Sequence, residues 1–270
     1  MKCVILAAGY ATRLYPLTEN FPKPLLEVQG KPILDWLIDD MAQTGLVDEY
    51  IVISNHKFAH IFEEWVKTPS GSPCLGGRLV GVGGRYKKPI TIIDDGTTTN
   101  DNRLGAVKDI QFAIEKLQLD DDLLVMAGDN LLDFSLGDFM RYGKEKNATC
   151  VMRYFEESEA RLHKTGVIEV DATDRILSFE EKPAQPKSHW CVPAFYYYTR
   201  EDSHLVKKGI ESGCGTDAPG SFIAWLCQQT KVYAWEMPGK RYDIGNLESY
   251  EEVKRNFRPP LSPDPLCPPV

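Results

Sequence analysis

Four short apolar runs, set apart by segments with helical spacing, leave this chain few architectures. The runs are Val4-Ile5-Leu6, "EYIVIS" (49–54), "PITIID" (89–94) and "DLLVMA" (122–127). Val4-Ile5-Leu6, uninterrupted and rich in β-branched residues, has the character of a parallel strand covered on both faces, and the other three read as further strands. Between them Ile33, Leu34, Leu37, Ile38 and Met41 recur at helical spacing, with Pro32 where a first turn tolerates proline and Thr44-Gly45 at the end. "KFAHIFEEWV" reads as a second helix, and Leu104, Val107, Ile110, Ile114 and Leu117 mark a third. Such alternation predicts a doubly wound sheet. After about residue 148 the texture changes: "ATCVMRYF", "GVIEV", "RILSFEE" and "VPAFYYYT" follow one another with short turns, as antiparallel strands do. Helices near 201–211 and 220–229, a strand "KVYAWE" and a helix from about 247 complete the expectation. The predicted fold is a single α/β domain over 1–256, a mixed, mostly parallel Rossmann-like sheet flanked by helices, with an antiparallel part. A proline-rich tail is expected over 257–270.

Composition narrows the function. The 270 residues are 43% hydrophobic, enough for one large domain or two small ones. A formal net charge of −8 without a basic cluster argues against a nucleic-acid polymer as partner. An acidic protein can still handle phosphates if it places a few cations locally or recruits a divalent metal. No apolar run approaches the ~20 residues of a membrane span, and "CVILAAG" is short for a signal peptide. The seven cysteines form no C-x-x-C pair, so neither zinc nor a disulfide frame is indicated, and a reducing cytoplasm is expected. "GGRLVGVGGRYKK" (76–88) reads as a loop or hairpin rather than a phosphate cradle, because no helix start follows it directly.

The chemistry concentrates after the first strand, in "LAAGYATRLYPLTENFPKPLL". A Walker loop would need Gly-Lys-Ser/Thr, and the dinucleotide fingerprint would need G-x-G-x-x-G; neither is present. What remains is a strand end, Leu6-Ala7-Ala8-Gly9, whose small residues let a flat or anionic ligand approach the backbone. Arg13 adds a planar fork suited to phosphate oxygens. Lys23 stands between Pro22 and Pro24, which stiffen the base of a long side chain; a surface lysine in a proline-rich loop is the plainer alternative. Asp129 follows the fourth strand, at the edge where open α/β sheets bind ligands. Asp243 in "RYDIGN" also falls after a strand and before a helix. Each could instead serve a turn or a helix cap. Together, at two strand-to-helix crossings, they suit a magnesium ion completed by phosphate oxygens and water. Glu180-Glu181-Lys182-Pro183 is by itself an ordinary charged strand end.

"LAAGYATRLYPLTENFPKPLLEVQGKPIL" resembles the signature of the sugar-1-phosphate nucleotidyltransferases, the glucose-1-phosphate thymidylyltransferase type in particular: L-A-G-G-x-G-T-R-L followed by P-K-P-L. Ala8 and Ala11 stand where glycine is common, which predicts a turn made without positive φ at either position. The resemblance spans roughly residues 3 to 250 and implies the nucleotide-diphospho-sugar transferase fold, with the antiparallel part binding the sugar. It implies nucleotide binding by Leu6, Ala7, Ala8 and Gly9, phosphate binding by Arg13 and Lys23, and Mg²⁺ on Asp129 (family G-D-N) and Asp243 (family W-x-D-x-G-T). Tyr242 and Asn246 are read as departures from that second motif. "EEKP" is similar to the family's E-K-P, implying sugar hydroxyls on Glu181 and the sugar phosphate on Lys182. "TGVIEV" is similar to its Y-G-V-V-E, which sets Gly166, with Glu169, against the sugar. "PKSHWCVPAFYYYT" also matches. The base reader is less clear: "GTTTNDNRLGAVKDI" stands where relatives carry a G-L-A-Q-A-like segment, with Asn102 and Gly105 as the expected contacts.

The implied reaction joins a nucleoside triphosphate to a sugar 1-phosphate by in-line attack on the α-phosphorus, releasing pyrophosphate. Catalytic roles fall to Arg13, Lys23 and Lys182. The alternatives are cytidylyl transfer to phosphocholine or a similar small phosphate, and a non-catalytic sugar-nucleotide sensor. A metal-dependent glycosyltransferase would need a D-x-D that Asp129-Asn130-Leu131 lacks. Self-association is common among relatives and a homo-oligomer is admitted. The short stretch after Asp243 leaves no expected left-handed helix domain of the kind some relatives append.

Overall fold

The computed structural model describes residues 1–68 and 86–260. Most of the glycine-rich stretch and the proline-rich residues after 260 therefore lie outside the described residues.

The chain begins with β1 (Lys2–Leu6), a two-residue hairpin of β2 (Glu27–Val28) and β3 (Lys31–Pro32), α1 (Ile33–Thr44), β4 (Glu49–Ser54) and α2 (His56–Lys67). Next come β5 (Ile90–Asp94), α3 (Ala106–Leu117), β6 (Leu123–Ala127), β7 (Asn130–Leu132) and α4 (Gly137–Lys146). The antiparallel stretch comprises β8 (Thr149–Phe155), α5 (Glu159–Leu162), β9 (Gly166–Val170), β10 (Ile176–Glu181), β11 (Trp190–Val192) and β12 (Phe195–Tyr198). It is followed by α6 (Arg200–Ser203), α7 (Val206–Glu211), α8 (Gly220–Leu226), β13 (Val232–Glu236), β14 (Arg241–Asp243) and α9 (Leu247–Asn256).

One ten-stranded sheet carries the fold, ordered β10-β9-β11-β8-β12-β6-β1-β4-β5, with β13 paired to β8. β6, β1, β4 and β5 are parallel, and β12, β8, β11, β9 and β10 pair antiparallel. β13 returns parallel to β8, a pairing its sequence alone does not announce.

The runs of β1, β4 and β6 are apolar on both sides because each of these strands feeds two cores. Cys3, Ile5, Tyr50, Val52, Leu124 and Met126 point to the layer built by α1, α2 and α4. Val4, Ile51, Ile53, Leu123 and Val125 point to the opposite layer, with α3, α7 and α8. Helices therefore cover both faces, as a doubly wound sheet requires. α1 carries the chain from β1 out to β4, while α3 brings it back to β6 on the other side of β1. The winding thus reverses between β1 and β6, and a crevice opens there at the carboxyl ends of the strands.

The tail starts later than 257. Phe257 is fully buried and packs edge-on against Trp36 of α1 and Tyr242 of β14. Among the described residues no helix is long and apolar enough to cross a membrane.

Candidate active site

At the crevice the first loop is held by its neighbours. The Ala7 amide donates to Ile53 (2.9 Å) and the Gly128 amide to the Leu6 carbonyl (3.1 Å). Buried Asn55 donates its Nδ2 to the Ala8 carbonyl at 3.0 Å. Ala7 and Ala8 are buried and Gly9 is exposed, with open space where a side chain would stand. Ala11 departs from expectation: its φ is +47°. The left-handed turn is stabilised because the Ala11 carbonyl accepts from the Leu14 amide (2.9 Å) and from the buried Thr18 hydroxyl (2.8 Å). Alanine resists this region, so Ala11→Gly is expected to raise stability by about 0.5–1 kcal/mol, the relief of Cβ strain outweighing the added unfolded-state entropy. A denaturant midpoint shifted upward at constant slope checks it.

Arg13 is exposed on the 3-10 turn that follows, while its neighbour Leu14 is buried. Leu14 shares one apolar cluster with Leu26, Ile33, Leu131 and Ile244. That cluster draws the first loop, the segment after Asp129 and the segment after Asp243 to one place.

Lys23 is not a surface lysine. The Pro-Lys-Pro turn packs on the Gly128-Asp129 turn so closely that a Cβ on Gly128 would stand 3.4 Å from Pro24 and 3.0 Å from Ile5. Lys23 Nζ donates to Asp129 Oδ2 at 2.6 Å, with the lysine side chain 10% and the aspartate 33% exposed. Burial disfavours the charge of Asp129, yet the Lys23 ammonium and Arg241 outweigh it and hold the carboxyl below its ordinary range.

Asp243 ends β14 and precedes α9, a strand-to-helix crossing as expected, whereas Asp129 sits in the turn between β6 and β7, with no helix directly after it. β14 pairs antiparallel with β7, and Asp243 lies directly opposite Asn130, the residue after Asp129. The cap of α9 is Asn246, whose side chain accepts from the Ser249 amide at 2.8 Å, so Asp243 is not needed for capping. Asp243 is exposed and faces Arg241 Nη1 at 3.6 Å. Aligned on Asp243, the spacing of W-x-D-x-G-T puts its tryptophan at Arg241; Tyr242 fills the free position. Arg241 and Asn246 are therefore the true departures, and Arg241 is a site residue that the reading of the motif missed.

A second group lies in the antiparallel half. Glu181 pairs with Gly166 in the β10–β9 register. Its carboxylate covers both Gly166 and Gly220: a Cβ at those positions would stand 3.2 Å and 2.3 Å from Glu181 Oε2. Burial and the nearby Asp217 push the Glu181 carboxyl up, against the pull of Lys182. Lys182 adopts a positive φ of 50°, its amide donates to Thr165 at 3.0 Å, and its side chain is exposed. Among the described residues no ion pair joins it to Asp129 or Asp243. Glu169 accepts from Ser178 at 2.7 Å.

The loop expected to read the base reaches this second group. Gly105 has φ +91°, and a Cβ there would stand 2.5 Å from the Thr216 carbonyl. The first amides of α3, Ala106 and Val107, donate to Asp217 (3.2 Å) and Thr216 (3.0 Å). Arg103 pairs with Asp217 at 2.9 Å. These residues border an open cleft of about 430 Å³ with Asn100, Asp101 and Leu104. Asn102 spends its oxygen on the amides of Thr98 (3.1 Å) and Thr99 (3.0 Å), and so shapes the loop.

The profile of the Nucleotidyl transferase family matches residues 2–258. The chain belongs to that family. This nucleotidyl transferase is 26% identical to UTP–glucose-1-phosphate uridylyltransferase AglF of Haloferax volcanii, over 96% of this chain and 97% of that protein. It is 25% identical to a glucose-1-phosphate adenylyltransferase of Fervidobacterium nodosum, over 96% of this chain but 62% of the relative. A similar chain from Synechocystis, UTP–glucose-1-phosphate uridylyltransferase, is 26% identical, with 94% of this chain and 63% of that one covered. The chain thus spans nearly the whole Haloferax relative and under two thirds of the other two. The crystal structure of UDP-glucose pyrophosphorylase complexed with UDP-glucose superposes with a TM-score of 0.77 at 19% identity, covering 94% of this chain and 97% of that one; this likeness is one of fold.

Proposed function

We propose that this chain joins a nucleoside triphosphate to a sugar 1-phosphate, giving an NDP-sugar and pyrophosphate. The observation that carries the reading is the Lys23–Asp129 pair at 2.6 Å in the β1/β6 crevice, with Asp243 opposite Asn130, in a chain that the family profile matches over 2–258. Names of the relatives, all acting on glucose 1-phosphate, support a sugar acceptor. Glu181, seated over Gly166 and Gly220 beside exposed Lys182, supports it too, since a carboxylate accepts from sugar hydroxyls while an ammonium neutralises the phosphate. Phosphocholine offers no hydroxyls for Glu181.

In the proposed reaction an oxygen of the sugar phosphate attacks the α-phosphorus in line, a P–O bond forms, and the bond to the pyrophosphate oxygen breaks. Protein atoms align and neutralise; none forms a covalent bond. Leu6 to Gly9 receive the nucleotide where Gly9 leaves the backbone open, with Asn102 and Gly105 on the loop that faces the base. Arg13 takes outer phosphate oxygens, and the Lys23 ammonium turns from Asp129 towards the phosphates as charge builds. Two carboxylates, one in the turn before β7 and one at the end of β14, are a donor set of the kind that suits magnesium; Asp129 and Asp243 would hold the ion, which would supply charge neutralisation at the transferring phosphate. The reaction is proposed for the cytoplasm, in keeping with five free cysteines among the described residues.

Pyrophosphate release from each of four nucleoside triphosphates, tested against glucose 1-phosphate, other sugar 1-phosphates and phosphocholine with magnesium, tests this reading. Turnover is expected with a sugar 1-phosphate. Turnover with phosphocholine alone, or tight binding of ligands with no turnover, would replace it with the cytidylyl-transfer or the sensor reading.

A further inference from the structure

The site contains a cation that the proposed chemistry does not use. Arg241 and Asp243 are two residues apart on β14 and so share a face of the ribbon. Arg241 Nη1 donates to Asn130 Oδ1 at 2.6 Å, and Asn130, 3% exposed, donates Nδ2 to Asp129 Oδ1 at 2.7 Å. Lys23 holds the other oxygen of the same carboxylate at 2.6 Å. A continuous relay therefore runs from Arg241 through Asn130 to Asp129, with Asp243 beside its start at 3.6 Å. The guanidinium lies 5.4 Å from the centre of the Tyr154 ring, and its side chain is only 19% exposed. The family motif carries an uncharged tryptophan at this position.

Resting on the function proposed above, we propose that Arg241 is a positioning residue that governs when a divalent ion can enter. Lys23 and Arg241 match the charge of Asp129 and Asp243, so the nucleotide-free site has little net attraction for a divalent cation and the two acids stay fixed without one. Triphosphate oxygens change that balance: they bring negative charge and give Lys23 another partner. The ion then arrives with the nucleotide rather than before it.

Binding of Mn²⁺, followed by the loss of its free-ion electron paramagnetic resonance signal in the absence of nucleotide, tests the inference without turnover. Arg241→Gln is expected to bind Mn²⁺ about five- to tenfold more tightly than the unmodified protein, because a fixed like charge has gone. Arg241→Lys, which keeps the charge, should stay within about twofold of it. Arg241→Trp is a second neutral variant, large enough to cover Tyr154, and should behave as Gln does; thermal unfolding identifies a variant that has lost its structure. Equal or weaker Mn²⁺ affinity in a folded neutral variant overturns the inference while leaving the function standing, provided the unmodified protein releases pyrophosphate. Absence of pyrophosphate release from every substrate pair overturns the function and this inference with it.

Discussion

Asp129→Asn is expected to lower pyrophosphate release by a factor on the order of 10²–10³ or more, with the fold retained. The asparagine keeps the size of the side chain and one of the two oxygens that accept from Lys23 and Asn130, so the packing changes little while one acceptor is lost. What disappears is the charge, which the Lys23 ammonium holds in place at 2.6 Å. Turnover under saturating magnesium and substrates, with circular dichroism as the control, measures the effect. Near-normal turnover would remove Asp129 from the chemistry.

The second large effect concerns Asp109, a buried acid on α3 whose Oδ1 has no hydrogen-bond partner among the described residues. Burial, with help from the Asp95 carboxylate, pushes its carboxyl up to about 7. Because the folded value lies above the unfolded one, the unfolded chain gives up this proton first as pH rises. Stability is therefore expected to fall between about pH 4 and pH 7 on account of this group alone. Asp109→Asn removes the titration and should stabilise the protein at pH 8 by about 2–4 kcal/mol, with little change near pH 4. Denaturant unfolding at both pH values checks it: an unchanged pH dependence in the variant would assign the loss to another group.

The parallel half of the sheet was legible because its strands bury both faces. Val4, Ile51 and Val125 serve one core while Ile5, Val52 and Met126 serve the other, and only in the edge strand β5 does a polar residue, Thr91, interrupt the pattern. α4 escaped because it packs with small residues: Gly137 and Gly143 are buried in it, and a Cβ on Gly143 would stand 2.5 Å from the Tyr197 ring. Close approach to an aromatic ring leaves a glycine that reads as a breaker. The β2–β3 hairpin and the β7–β14 ribbon are two or three residues per strand, too short for any periodicity to register.

In the site, Lys23 and Asp129 were legible from their proline and glycine neighbours and from the family signature. The left-handed Ala11 was not, because the interaction that stabilises it comes from Thr18, seven residues on. Nor was Arg241, whose partner Asn130 lies 111 residues away; a charged residue in place of the motif's tryptophan was the available signal.

Asp243 stands on a strand that is anchored from behind. Phe257 packs between Tyr242 and Trp36, Gln29 donates to the Phe257 carbonyl, and the Tyr250 hydroxyl donates to the Glu27 carbonyl, so α9 is tied to the β2–β3 hairpin. The place of Asp243 opposite Asn130 therefore depends on packing supplied by residues as far along as Phe257.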